Sequence, residues 1–273
     1  MSMNGSAIRV GTIGRRPASY RVLSPEETIK PNGISSLSVD ANALALRTST
    51  NALLQFVDPE HFLRLRQFIK RVNLVKDQYL YQQDDEIDVI YFPETAVVSE
   101  FQILEDGRTI EVGIIGNEGA VGIAAAFNSC RAANCMQVCV PGNALSIPRD
   151  VFEREVMSDQ RLQATLHNYI NGQIRQLSQR VVCNTFHSVE QRFCSWLLTL
   201  HKRSRRDRFK LTHEHVARVL GVHRPSVTCI AQTLRDRKLI DYGRARLVIS
   251  NKPGLESLAC KCSADMHGPL TEH

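Results

Sequence analysis

The sequence lacks two features that would direct it to a membrane or out of the cell. No apolar run approaches the roughly 20 residues that a membrane-spanning helix needs, and even residues 120–127 form a run of only eight. The first thirty residues hold four arginines with no apolar segment between them, which does not fit a secretory signal. We therefore expect a cytoplasmic protein with no membrane partner.

The sequence also lacks the common signatures of enzymes. It has no glycine-rich loop that would cradle phosphate, no nucleophile elbow and no zinc-protease helix motif. We therefore expect that the protein is not an enzyme.

Paired Cys-x-x-Cys motifs are absent as well, although the chain has eight cysteines. In a cytoplasmic protein these are thiols, metal ligands or redox sensors rather than disulfides. Cys130, Cys135 and Cys139 lie close together, but their spacing matches neither zinc sites nor the cysteine cluster of iron–sulfur proteins. We expect buried, unreactive thiols there, with a redox or metal sensor as the alternative. Cys260 and Cys262 are separated by one residue, which places their thiols awkwardly for a shared metal, although Cys262 could find a partner elsewhere in the chain. We assign no metal and no cofactor.

Residues 212–237 carry the pattern of a helix-turn-helix. Two short helices that cross steeply need a small residue at the crossing, here Ala217, and a residue that tolerates positive φ in the turn, here Gly221. Thr212 suits the N-cap of the first helix, and Pro225 fits the first turn of the second. An ordinary helical hairpin is the alternative.

Residues 239–249 read as strand, turn and strand, which is a wing when it follows a helix-turn-helix. From His201 to Arg246 there are 13 Lys and Arg against 4 Asp and Glu, whereas the whole chain has a net charge of only +6. A basic module on a mildly acidic remainder is typical of a domain that binds double-stranded DNA. The predicted DNA-binding residues are Thr212, His213, His223, Arg224, Pro225, Ser226, Thr228, Lys238 and Arg244.

Residues 51–150 have 8 basic and 14 acidic side chains, so this half is not the DNA-binding half. Short helices begin it, and strands are predicted over residues 78–81, 89–92 and 97–104. Asp106-Gly107 between β-prone residues predicts a hairpin. Short strands with frequent turns favour a sandwich or barrel.

Residues 159–182 predict one long helix between the two halves, ending where residues 184–187 break it. Its apolar seam advances in steps of three and four residues, close to a coiled-coil stripe, which indicates a homodimer. The predicted dimerisation residues are Leu162, Leu166, Ile170, Ile174, Leu177 and Val181. The alternative is a linker helix that packs on its own β domain.

The chain therefore divides into five predicted parts. They are a weakly ordered tail over residues 1–50, a β domain over 51–150, a helical region over 151–183, a winged helix-turn-helix over 184–262 and a tail over 263–273.

This order of parts resembles the Crp/Fnr family of bacterial transcription regulators. The most specific stretches are residues 91–122, 187–198 and 211–249. The resemblance implies an α+β fold in which a jelly-roll effector domain like that of cyclic-nucleotide-binding proteins precedes a long dimerisation helix. It also implies a parallel homodimer that binds two-fold symmetric operators, with RNA polymerase as a further candidate partner.

Two departures from the family pattern concern the ligand. Cyclic-nucleotide-binding members use a Gly-Glu pair for the ribose and an Arg for the cyclic phosphate. Here Gly122 matches the glycine and Ile123 replaces the glutamate. Arg131 lies about two residues before the position that would match the phosphate-binding arginine. An isoleucine cannot accept a hydrogen bond from a buried hydroxyl, so we do not expect cyclic AMP to bind. The candidate ligand pocket comprises Gly119, Gly122, Ile123 and Arg131.

The second helix of the helix-turn-helix, which is the recognition helix in the family, also differs from the family pattern. Many members read bases with Arg, Glu and a second Arg, whereas here Arg224 is followed by Pro225 and, later, Cys229. Arg224 remains able to pair with guanine. The sequence leaves three hypotheses open: a signal-responsive regulator, a ligand-independent architectural DNA-binding protein, and a catalytic β domain tethered to DNA.

Overall fold

The computed structural model describes residues 49–127 and 130–263. The predicted tails therefore fall almost wholly outside the described residues. Within them, no helix combines the length and the apolar character needed to cross a membrane.

Two antiparallel sheets pack face to face and form the β domain, as expected for a jelly roll. One sheet has the strand order β1-β7-β3 and the other β2-β6-β4-β5. The strands are β1 (Lys70–Leu74), β2 (Tyr79–Tyr81), β3 (Val89–Pro93), β4 (Val97–Ile103), β5 (Thr109–Ile115), β6 (Cys135–Val140) and β7 (Gly142–Pro148).

The hairpin predicted from Asp106-Gly107 joins β4 to β5. Gly107 has a φ of +82°, a conformation that glycine adopts without a steric penalty. Leu104 and Arg108 close the turn through the hydrogen bond from Leu104 N to Arg108 O.

Helices cover the outer face of the first sheet. A 3₁₀ turn (Leu53–Phe56), α1 (Pro59–Leu65) and α2 (Arg149–Ser158) precede the long helix α3 (Gln160–Phe186). Phe92 of the sheet meets Phe152 of α2 edge to face, with ring centroids 5.4 Å apart. The first turns of α3 join the same core.

Helix α3 begins as predicted but ends later. Asp159 caps it by accepting hydrogen bonds from Arg161 N and Leu162 N. The predicted break over residues 184–187 is wrong in position, because the helix continues to Phe186. Thr185 fits inside the helix since its hydroxyl donates to the carbonyl of Val181, at 2.8 Å.

The seam of α3 is divided between two environments, which corrects part of the predicted dimer interface. Leu162 and Leu166 are fully buried in the protomer's own core, so they cannot face a partner. The reason is Tyr169, whose hydroxyl accepts a hydrogen bond from Ala120 N at 3.1 Å and draws this half of the helix onto the β domain. A Cβ at Gly119 would lie 2.2 Å from that hydroxyl, so only glycine permits the approach.

The C-terminal half is a winged helix. It contains α4 (Val189–Ser204), β8 (Arg208–Lys210), α5 (His213–Leu220), α6 (Arg224–Asp236), β9 (Ile240–Gly243), β10 (Arg246–Ile249) and α7 (Lys252–Leu258). A capping box of Ser188 and Gln191 starts α4. Strand β8, which we did not predict, completes a sheet of order β8-β10-β9.

One hydrophobic core joins the winged helix to the outer face of the second sheet. Phe101 of β4 lies edge to face with His215 of α5, at a centroid distance of 6.4 Å, and the Trp196 ring of α4 lies 6.3 Å from the same His215 ring. The guanidinium of Arg218 covers the Phe101 ring at 5.5 Å. The first helix of the helix-turn-helix is therefore docked on the β4–β5 hairpin.

Acidification should weaken this shared core through His215. Burial lowers the pKa of His215 from 6.5 to about 3. Between these two pH values His215 is protonated in the unfolded chain but neutral in the folded chain, so proton binding favours unfolding. Stability should fall across that window, by up to about 1.4 kcal/mol per pH unit from this group. His215→Phe keeps a ring in place without the proton, so its melting temperature should decline less between pH 6.5 and 4.5. An identical decline in both proteins would contradict the assignment.

Candidate nucleic-acid interface

The residues predicted to end the first helix of the helix-turn-helix, and to lie where the two helices cross, have the predicted conformations and burial. Thr212 caps α5 by accepting a hydrogen bond from His215 N at 3.0 Å. Gly221 ends α5 in the left-handed region, with a φ of +63°. Ala217 is buried at the crossing.

Helix α6 presents one face to solvent and buries the other. Val227, Ala231 and Leu234 are buried, a spacing of four and three residues. The predicted contact residues of this helix lie on the exposed side: His223, Arg224, Pro225, Ser226 and Thr228. We did not assign Cys229 and Gln232 to the site, but both are exposed on the same side.

His213 and Thr228 connect the two helices at this surface. The Thr228 hydroxyl lies 3.0 Å from His213 Nδ1, and the His213 ring meets Tyr242 edge to face at 4.6 Å. Partial burial, followed by the charge of Arg224, lowers the pKa of His213. The structure therefore uses both polar groups to position the helices, with His213 neutral at physiological pH.

The wing ends in a two-residue loop. Arg244 and Ala245 both have positive φ, 45° and 63°, as a type I′ hairpin turn requires. The loop contains no glycine, since Gly243 precedes it and pairs with Arg246. Arg244 is exposed at its tip, and Lys238 is exposed where α6 ends.

Two of the 13 basic residues between His201 and Arg246 make contacts with other parts of the protein instead of pointing to solvent. Arg203 is buried and pairs with Glu118 of the β domain at 2.9 Å. It also donates to the carbonyl of Ile114 and to Gln176. Arg218 is the residue stacked on Phe101. Charge counting alone did not distinguish these two from the exposed cations.

A second polar contact links the winged helix, the long helix and the β domain. Glu111 of β5 is buried, and its carboxylate accepts hydrogen bonds from Ser99 Oγ at 2.7 Å and Trp196 Nε1 at 2.9 Å. Arg180 of α3 approaches it at 3.4 Å. Burial raises the pKa of the Glu111 carboxyl, and these donors oppose that shift. We define this set as the Glu111 junction.

The candidate ligand pocket is only partly assembled. Gly119 faces Tyr169 of the long helix, and Gly122 forms a turn with a φ of +85° next to Tyr81. Ile123 begins a 3₁₀ helix. Arg131 is exposed, and its guanidinium donates to the carbonyl of Asp84 at 2.7 Å. The four residues do not share one set of polar contacts.

The interior of the jelly roll is filled with apolar side chains. They include Leu74, Ile87, Val98, Ile115 and Val138. The hydroxyl of Tyr81 is the polar atom in this core that has no hydrogen-bond partner among the described residues. Burial raises its pKa above the ordinary value, so it stays protonated.

Cys130, Cys135 and Cys139 do not converge on a metal position. The thiol of Cys135 accepts from Gln83 N, and the thiol of Cys139 donates to the carbonyl of Val97. Burial raises the pKa of Cys139 to about 12, which keeps it unreactive. In the described part of the chain, the one His and Cys group able to surround an ion includes none of these three.

The outer half of the α3 seam is exposed. Ile170 is partly buried against the core, whereas Ile174, Leu177 and Val181 are exposed by 54, 44 and 67%. We call Ile174, Leu177 and Val181 the α3 stripe.

Two family models match the chain. A cyclic nucleotide-binding domain matches residues 71–159, and a Crp-like helix-turn-helix domain matches residues 191–258. No curated protein matches it closely enough to count as a relative.

Solved structures with the same fold cover both halves. FixK2 from Bradyrhizobium japonicum is 16% identical, with a TM-score of 0.59, over 70% of this chain and 98% of that one. A putative transcriptional regulator of the Crp/Fnr family from Eubacterium rectale is 14% identical, with a TM-score of 0.62, over 77% and 98%. The c-di-GMP-responsive regulator CLP from Xanthomonas campestris is 16% identical, with a TM-score of 0.57, over 70% and 99%. At these identities the likeness shows the fold alone.

We expect the exposed cations to be of two kinds, those that contact DNA phosphates and those that contact bases. Arg244→Ala at the wing tip should weaken binding to all DNA sequences alike and flatten the slope of log affinity against log salt by about 0.9, because one phosphate contact is lost. Arg224→Ala should instead change base preference at one position, with a loss of about 1–3 kcal/mol on the preferred site.

Fluorescence anisotropy across a salt series measures both effects. Arg154→Ala, which removes an exposed arginine from α2, is the matched control and should leave both quantities unchanged. A changed base preference with an unchanged salt slope in Arg244→Ala would overturn its assignment as a phosphate contact.

Proposed function

The chain belongs to the Crp/Fnr family of transcription regulators, and from that membership we propose that two copies bind a two-fold symmetric DNA site under the control of a signal received by the β domain. The protein is a DNA-binding transcription regulator with a β-rich N-terminal domain, a long helix and a C-terminal helix-turn-helix. The homodimer, the symmetric operator and the signal are our proposal.

The exposed face of α6 is the observation that carries the proposal. Helix α5 is docked on the β4–β5 hairpin, but the polar face of α6 with Arg224 remains open to solvent. Lys238 and Arg244 lie exposed beyond its end. A polar, cationic helix face that nothing in the protomer covers fits insertion into the major groove with flanking phosphate contacts.

The α3 stripe supports a homodimer. Its members follow one another at three and four residues on a helix that lies between the two domains, and all are at least 44% exposed. Apolar side chains at this spacing are stabilised when an identical helix covers them. A parallel pair of α3 helices would also place two α6 helices for two half-sites, as a symmetric operator requires.

The Glu111 junction supports control by the β domain. It binds the β5 strand to the long helix through Arg180 and to the DNA-binding half through Trp196. A ligand that shifts β5 relative to α3 therefore changes contacts in both of the other elements. Such differential contact is what lets a ligand shift an equilibrium between two arrangements. The architectural hypothesis offers no role for these links.

We further propose that the signal is not cyclic AMP and that the protein acts by binding rather than catalysis. Ile123 offers no acceptor for a ribose hydroxyl. Arg131, the nearest cation to the expected phosphate position, already donates to Asp84 O. Apolar side chains fill the space between the sheets.

The stripe predicts the effect of two substitutions. Val181→Asp or Ile174→Asp should produce monomers and abolish binding to an inverted repeat, because the aspartate would be desolvated next to its symmetry mate. Leu166→Asp should instead prevent folding, since Leu166 is fully buried in its own protomer. Asn168→Asp adds the same charge at an exposed position of α3 outside the stripe and is the matched control.

Sedimentation velocity gives the assembly state, and selection from random DNA gives the site. We expect a dimer and an inverted repeat for the unaltered chain and for Asn168→Asp. A dimer that survives both stripe substitutions would refute the interface, while bound DNA without sequence preference would favour the architectural protein.

Cyclic nucleotides should bind weakly. Two missing charge-assisted hydrogen bonds, at about 1.5–3 kcal/mol each, reduce affinity by roughly two to four orders of magnitude. Calorimetry with cyclic AMP and cyclic GMP should show no saturation at micromolar ligand. Micromolar binding that Arg131→Ala abolishes would show that this arginine leaves Asp84 to hold the phosphate.

A further inference from the structure

Four side chains of the metal-ligating kind converge where the long helix ends. Cys183, His187, Cys260 and Cys262 each offer one sulfur or ring nitrogen, and these four atoms all lie within 4.8 Å of one another. No other group of three or more His, Cys, Asp or Glu in the described residues does so.

Two separate parts of the chain supply the ligands. Cys183 and His187 are four residues apart, and the hydrogen bond from His187 N to Cys183 O, at 3.1 Å, keeps their side chains on one side of the last turn of α3. Cys260 and Cys262 follow α7, which packs on α4 through the buried Leu255. That packing brings the C-terminal segment to the end of α3, across 77 residues of sequence.

The separations suit a single ion. Tetrahedral zinc with sulfur ligands at about 2.3 Å places neighbouring sulfurs about 3.8 Å apart. The thiols of Cys183 and Cys260 are 3.9 Å apart, and every other pair is within 4.8 Å. Small side-chain movements would bring all four atoms to bonding distance. An iron–sulfur cluster holds its cysteines around several iron and sulfide atoms and needs a wider cage.

The surroundings are those of a structural site. Cys183 and Cys260 are buried, and His187 and Cys262 are half-buried. A metal bound by all four side chains would therefore have little access to solvent and no vacant coordination position, as in structural zinc sites. His187 Nδ1 is buried without a hydrogen-bond partner, which is costly unless something else binds it. Ser195 Oγ lies 3.0 Å from the Cys260 sulfur, and Gln179 Nε2 donates to the Cys183 sulfur at 3.7 Å. Outer contacts of this kind orient metal ligands.

We propose that Cys183, His187, Cys260 and Cys262 bind one Zn²⁺ in a closed tetrahedral site that fastens the end of the long helix to the C-terminus of the winged helix. Three soft thiolates and one imidazole select zinc over hard cations such as Mg²⁺ or Ca²⁺. Each thiol that binds releases its proton to solvent, and the metal keeps its oxidation state. This proposal replaces the sequence-based assignment of no metal and does not depend on how the protein recognises DNA.

A disulfide between Cys183 and Cys260 is the competing use of these residues. It would require the two sulfurs to close from 3.9 Å to about 2.05 Å. It would leave His187 and Cys262 without a role and His187 Nδ1 still unpartnered. The metal explains all four residues, and the disulfide explains two.

Metal analysis of the full chain tests the proposal. Protein purified under reducing conditions from zinc-supplemented medium should contain close to one zinc per chain by mass spectrometry of the element. Cys262→Ser and His187→Ala, both at half-buried positions, should lose most of it. Cys229→Ser, which removes an exposed thiol outside the group, should retain it.

Cobalt substitution adds a readout that folding alone would not produce. Co²⁺ added to the chelator-treated chain should give the intense visible bands of a tetrahedral site and the ultraviolet bands of thiolate ligands, and both should weaken in Cys262→Ser. Chelation should lower the melting temperature of the unaltered chain, because zinc binds the folded state in preference to the unfolded state.

Three results would overturn the proposal. One is a folded, reduced chain with far less than one zinc that takes up none on titration. Another is equal zinc content in the unaltered chain and in Cys262→Ser combined with His187→Ala. The third is a Cys183–Cys260 disulfide in metal-free protein purified under reducing conditions.

Discussion

The buried carboxylate of Glu111 is the constraint on which the arrangement of the three parts depends. A charge removed from water must be compensated, and here the partners come from three elements: Ser99 in β4, Arg180 in α3 and Trp196 in α4. Loss of one partner of a buried ion pair typically costs about 3–5 kcal/mol, so separation of Arg180 from Glu111 would be unfavourable. Phe101, which contacts both Arg218 and His215, adds an apolar contact between β4 and the helix-turn-helix.

The junction and the core beside it leave one face of α6 exposed while the rest of the winged helix is packed against the β domain. The β4–β5 hairpin covers α5, whose role is to support α6, and leaves the polar face of α6 open. The long helix contacts the β domain with its first half and presents an unpaired apolar stripe with its second half. The β domain therefore contacts the winged helix directly through the hairpin and is linked to it indirectly through α3.

Much of this could be predicted from the sequence because the determining interactions are local. Thr212, Gly221 and Pro225 specify the ends of two helices within fourteen residues, and Asp106-Gly107 specifies a hairpin within two. Periodicity identified α3 and its apolar seam. Caps, turns and helical spacing involve only residues near one another in the chain, and the order of the parts that they define resembles the Crp/Fnr family.

The tertiary structure alone decided which of these features face the interior. The seam of α3 is uniform in sequence, yet Leu166 packs on its own β domain and Val181 does not, because the Tyr169 hydroxyl bonds to Ala120, 49 residues away. Arg203 and Arg224 are both cations of the basic half, but Arg203 is buried and pairs with Glu118 of the β domain, whereas Arg224 is exposed. Cys183 and Cys260 meet across 77 residues. Sequence spacing determined the elements, and long-range packing determined their partners, because contacts between distant residues leave no periodic signal.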